Sequence, residues 1–202
     1  MRLNSSRFVL VLATTIALGA LAAGCGDSGP AGTYASLTWT IRCETMGMCS
    51  SYPNRDVDGF HGENGVRIAC NVTETETTRT LTFSAYASNY GIQMQNAQFS
   101  RGGGTPAGTD CRISVLEDTN NFVGACGGSP PTEVQPCQVN NVQFTTDEEG
   151  RSLIRGNIFC VGLSPSAAPN IDRELTAPGT GLAAPTTPMQ FDLYDCAGYN
   201  PG

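Results

Sequence analysis

From Tyr34 to Cys196 the chain alternates apolar and polar residues in short runs. Leu37, Trp39, Ile41 and Cys43 are interleaved with Thr38, Thr40 and Arg42. Val66, Ile68, Cys70 and Val72 repeat the pattern, as do Leu81, Phe83 and Ala85, and then Tyr90, Ile92 and Met94. A period of two in Val, Ile, Thr and aromatic residues, broken by Gly, Pro, Asn and Asp, predicts half-buried strands joined by turns. No segment carries an apolar stripe at helical spacing, although residues 170–176 could form one turn. Roughly nine or ten strands with mostly short connections predict an all-β chain, an antiparallel β-sandwich of jelly-roll or immunoglobulin-like type. The strand from Met189 to Cys196 shares its pattern with the first and is expected near it. Residues 44–65, 100–110 and 162–188 are expected as long loops, which on a rigid sandwich often carry recognition.

Two hairpins can be given a register. Folding the chain about the Asp118–Thr119 bond sets Val115 against Phe122, Ile113 against Gly124 and Cys111 against Cys126. Every inward residue then meets an inward residue, at a separation that a disulfide can span. The second hairpin runs from Cys137 to Cys160 around Asp147-Glu-Glu-Gly150. Its apolar phase slips after Val139, because Val142 and Phe144 are even-numbered. One extra residue at Asn140-Asn141, a β-bulge, restores it. Phe144 then faces Ile154 and Val142 faces Gly156. The registers predict Cys111–Cys126 and Cys137–Cys160, with Cys126–Cys137 as the rival pairing. The remaining four cysteines are provisionally set as Cys43–Cys70 and Cys49–Cys196.

The first 25 residues do not belong to this pattern. Arg2 and Arg7 precede an uncharged, mostly apolar run from Phe8 to Ala23, shorter than a membrane span requires. The run ends in Leu21-Ala-Ala-Gly-Cys25, small residues leading to a cysteine. This segment resembles the lipobox of bacterial lipoproteins, with Ala22 where leucine is commonest. The resemblance implies a signal peptide over residues 1–24 and acyl chains, palmitate among them, on Cys25. It also implies a cell-envelope location, with the outer membrane favoured because Gly26 and not Asp follows the cysteine. Residues 25–33 then form a flexible tether and residues 34–202 a single domain. Setting Cys25 aside leaves eight cysteines, Cys43, Cys49, Cys70, Cys111, Cys126, Cys137, Cys160 and Cys196. In an exported chain an even set is expected to form four disulfides. Zinc is the alternative use of cysteine, but no Cys-x-x-Cys pair is present and His61 is the single histidine.

Charge narrows the partners. The chain has no lysine, and beyond the leader nine arginines face eighteen Asp and Glu residues, a net charge of −9. Nucleic acid draws its affinity from phosphate neutralisation, so it is an unsuitable partner. Membrane contact is expected through the lipid anchor alone.

Candidate chemistry is sparse. Asn54, Asp56 and Asp58, then Gly59, resemble the opening of an EF-hand calcium loop. Glu63 falls two residues short of the position for its bidentate ligand, and an ordinary acidic turn is the alternative. Calcium is thus a candidate cofactor and otherwise none is expected. His61 has neither nucleophile nor orienting partner in a recognisable motif. Asp192 and Asp195, Glu74 and Glu76, and Glu148 and Glu149 are the carboxylate pairs a glycosidase could use. Asp192 and Asp195 would point to opposite faces of a strand, and the others sit at strand ends or turns. Trp39 is in phase with the core, whereas Tyr86 and Tyr194 are out of phase with theirs. Three functions follow. The first is a non-enzymatic binding module for envelope or extracellular polysaccharide, marked by exposed tyrosines or polar loop residues in a shallow groove. The second is an assembly lipoprotein binding another envelope protein, marked by an apolar patch or bare edge strand. The third is a hydrolase.

Overall fold

A computed structural model describes residues 32–43, 49–101, 108–127, 130–165, 173–179 and 187–201. Cys25 and the leader lie outside the described residues. The strands are β1 Tyr34–Cys43, β2 Arg55–Phe60, β3 Val66–Glu74, β4 Thr78–Ala87, β5 Tyr90–Ser100 and β6 Arg112–Glu117. They continue with β7 Asn120–Ala125, β8 Cys137–Thr146, β9 Ser152–Pro165, β10 Arg173–Thr176 and β11 Met189–Tyr194. All strand pairings are antiparallel.

Two layers form a disulfide-stapled β-sandwich. One layer is a meander in which β3, β4, β5, β6 and β7 lie in sequence order. In the other, β1 and β9 flank a central position filled end to end by β11 and β10. The first half of β1 pairs with β11 and its last four residues with β10. Outer places in this layer go to β2, beside β1, and β8, beside β9. The last residues of β9 cross to the meander, where Ser164 and Pro165 pair with Val123 and Phe122.

Alternation decides this arrangement. The inward residues Leu37, Trp39 and Ile41 of β1 and Leu81, Phe83 and Ala85 of β4 are all buried. Burying one large apolar side chain stabilises by about 1.5–3 kcal/mol. A one-residue slip would therefore expose an entire row of them. Phe83 and Phe191 meet across the layers with ring centroids 5.3 Å apart. Trp39 is fully buried, and its indole N–H donates to Glu117 Oε1 at 3.2 Å.

Both hairpin registers are observed. Val115 faces Phe122 and Ile113 faces Gly124. Phe144 faces Ile154, with the ladder shifting between Asn140 and Gln143. Asn141 takes the bulge's left-handed backbone, φ 53°. A Cβ on Gly156 would stand 2.7 Å from Val142 Cγ2, so those two positions do meet. Cys111–Cys126 and Cys137–Cys160 are disulfides. Cys126 and Cys137 also form a parallel bridge, so register and not proximity selects the partners.

Four expectations need correction. The remaining disulfides are Cys43–Cys49 and Cys70–Cys196, not Cys43–Cys70 and Cys49–Cys196. Tyr52 N–H donates to Ile41 O, which holds the segment that follows Cys49 alongside β1 and brings Cys49 to Cys43. The stretch 44–65 contains β2, whose Val57 is buried between the exposed Asp56 and Asp58. Acidic residues in the outward phase mark an edge strand here. Residues 173–176 form β10 and not a helical turn, since Leu175 is buried between β1 and β9. The described strands number eleven, these two short ones included.

Candidate polysaccharide-binding face

The outward face of the meander carries the candidate site. Register sets Arg67 of β3, Tyr86 of β4, Gly91 of β5 and Leu116 of β6 in one row across the strands. The next row holds Ala69, Ser84, Gln93 and Ser114. Gly91 is what shapes the surface. A Cβ there would lie 2.1 Å from Tyr86 Cδ1 and 2.7 Å from Cγ, so the phenol ring leans across onto bare backbone. An aromatic ring covering a glycine on a neighbouring strand is a recognised way to secure a sheet. It also keeps the ring low over the sheet. The Arg67 guanidinium carbon stands 6.0 Å from the ring centroid.

Beside this row is a hollow of about 340 Å³ lined by His61, Arg67, Ala69, Ser84, Tyr86 and Leu116. That volume is in the range of small-ligand sites. Burial pushes the Tyr86 phenol up, and nearby Arg67 opposes the shift. At ordinary pH the phenol is therefore a neutral hydrogen-bonding group.

His61 enters the hollow from the turn after β2. Its backbone N–H donates to Thr33 O at 2.9 Å. Its Nδ1 accepts the Ile68 N–H at 3.0 Å. An accepting Nδ1 assigns the proton of the neutral ring to Nε2. Nε2 is buried and has no hydrogen-bond partner. The histidine is thus half-buried against the β3 edge. It caps one edge amide and leaves one donor unused.

The other nominated residues are dispersed. Asn54 precedes β2, Asp56 and Asp58 lie on it, and Glu63 is in the following turn. Asp56 and Asp58 thus stand on extended backbone, in which alternate side chains are about 7 Å apart. Asp58 Oδ1 accepts the Tyr34 hydroxyl. No group of three His, Cys, Asp or Glu residues able to hold a metal occurs among the described residues. Asp192 takes both arms of Arg155, at 2.8 and 2.7 Å. Glu74 binds Arg79 and Arg101, and Asp147 and Glu149 bind Arg151.

Of the tyrosines, Tyr194 packs edge-on against Tyr34 and is overlaid by Arg151, whose guanidinium carbon is 4.7 Å from its centroid. Tyr52 packs on Phe122 and Tyr90 on Trp39. Tyr199 is buried. Tyr86 combines partial exposure with a hollow, as its phase in the sequence suggests. Arg67 and Gly91 were not legible as partners of Tyr86, because only cross-strand register brings them together. Comparison with protein-family models, curated proteins and solved structures gave no match to this chain.

Proposed function

We propose that this protein is a non-enzymatic binding module, held at the bacterial envelope by acyl chains on Cys25, whose ligand is a polysaccharide. The observation that carries this reading is the low-lying Tyr86 ring on Gly91 beside a 340 Å³ hollow. Sugar rings have an apolar face that stacks on an aromatic ring and a hydroxyl rim that needs donors and acceptors. The hollow offers both, with Ser84 and Arg67 around the phenol. Assembly on another envelope protein would favour a broad apolar patch or a bare strand edge. Among the described residues Phe60 and Val134 are the exposed large hydrophobics, and they lie on different elements. The free edge of β3 is capped by residues 61–63 and by Ala197.

The test is retention on immobilised envelope and extracellular polysaccharides, with and without chelator. Retention is expected, with Tyr86→Ala lowering it at least tenfold. Capture by envelope proteins alone would sink the reading. Loss with chelator would return attention to Asn54, Asp56, Asp58 and Glu63 as calcium ligands.

A further inference from the structure

The charge of this face differs from that of the chain as a whole. Eighteen acidic residues outnumber eleven arginines in the sequence. Yet the outward positions of β3 through β7 carry Thr, Ser, Asn, Gln and small or apolar residues, two arginines, and no Asp or Glu. The opposite face of the sandwich has Asp56, Asp58 and Asp192 at outward positions. Of the carboxylates near the meander, Glu74 and Glu117 fall in the inward phase of β3 and β6, and Glu63, Asp118 and Glu133 belong to turns and loops at its rim.

The arginines divide the same way. Arg42, Arg55, Arg79, Arg101, Arg151 and Arg155 each pair with a carboxylate. Arg173 is buried and donates to Ser50 O. Arg67 and Arg112 are exposed and make no ion pair with a described residue. Both stand on this one face. In a protein with carboxylates in excess, two guanidinium groups left exposed on the same surface point to an anion supplied from outside.

Their spacing says what kind of anion. Arg67 is on β3 in the Tyr86 row, and Arg112 is on β6, paired with Gln95, two outward rows further along. Three strand spacings across and two rows along give about 20 Å. No single acidic sugar reaches both. The diagonal between them crosses Ser84 and Gln93, hydroxyl and amide groups suited to sugar hydroxyls. Planar guanidinium forks pair best with planar carboxylates.

We infer that the ligand is a polymer of acidic sugars. Its carboxylates pair with Arg67 and Arg112, and one sugar ring stacks on Tyr86. This rests on the polysaccharide reading above and narrows its ligand class. The test uses the full chain, expressed with its leader in a bacterial envelope and extracted in detergent. It would be titrated with polygalacturonate, alginate and hyaluronate, and with the same three polymers after esterification of their carboxyl groups. Binding to at least one acidic polymer is expected, at least tenfold weaker to its ester. About tenfold should be lost in Arg67→Gln and again in Arg112→Gln. Arg155→Gln, on the opposite face, should leave binding unchanged. Equal affinity for ester and acid would overturn the inference. So would failure of all three acids, or equal retention on duplex DNA, which would mean indiscriminate polyanion binding. Binding to a neutral glucan that is lost in Tyr86→Ala would then preserve the broader reading, whereas failure of acids, esters and neutral glucans together would sink both.

Discussion

Tyr34 is the residue whose environment makes the most direct prediction. Its hydrogen bond to Asp58, with burial adding to it, pushes the phenol from 10.0 up to about 12. The fold therefore favours the neutral phenol over the phenolate. That contribution is complete below about pH 10 and is lost as pH rises towards about 12. Ultraviolet titration should show one phenol ionising at the top of this window, and Asp58→Asn should move it down. Glu117 is the second informative residue. It is fully buried, receives Arg55 Nε at 2.9 Å and the Trp39 indole, and is pushed above the usual carboxylate range by burial, with Arg55 and Trp39 opposing. Glu117→Ala would strand both donors and is expected to cost about 3 kcal/mol in denaturant unfolding. Glu117→Gln keeps an acceptor for the indole and should cost less.

At the scale of elements, the hairpins were legible in the sequence because phase alone constrains them. Val142 and Phe144 break the odd-numbered phase set by Cys137 and Val139, and only a bulge can mend it. Gly156 is where that bulge brings Val142 and Phe191 together, since a Cβ there would lie 2.7 Å from one and 2.6 Å from the other. Gly156→Ala should therefore destabilise by about 2 kcal/mol through overpacking. The short strands were not legible. β2 has one buried apolar residue, Val57, and β10 has four residues in all, so neither shows a period. The same limit applies to the long-range disulfide. Cys70–Cys196 closes a separation of 126 residues and Cys43–Cys49 one of 6. Loop-closure entropy then predicts that removing the first pair costs about 5 kcal/mol and the second about 2 kcal/mol. Thermal unfolding of the two double Cys→Ser variants would check that order.

For the whole molecule, the sequence conveyed an all-β sandwich but not the strand order across its seam. Nothing local tells β9 to end on β7, or β10 and β11 to share one position. The candidate face was half legible: Tyr86 stood out by phase, and its neighbours did not. Closure of the β3 edge is also a global property. Ala197 N–H donates to Cys70 O and Val72 N–H to Ala197 O, which needs the following residue to approach β3 closely. Gly198 permits this, with φ 76° and a Cβ position only 2.2 Å from Val72 O. Gly198→Ala should lift the C-terminal segment, speed amide exchange at Val72 and promote self-association through the bared strand, visible by sedimentation.

The bond from His61 to Thr33 has a geometric consequence. It places the hollow at the end of the domain where the chain first enters it. With Cys25 acylated as proposed, seven residues lie between the anchor and Thr33, a leash of at most about 30 Å. A domain leashed at its own mouth cannot fish far from the bilayer. It would gather polymers that run along the membrane to which it is moored, and its catch would be set by what is tethered nearby more than by what diffuses past.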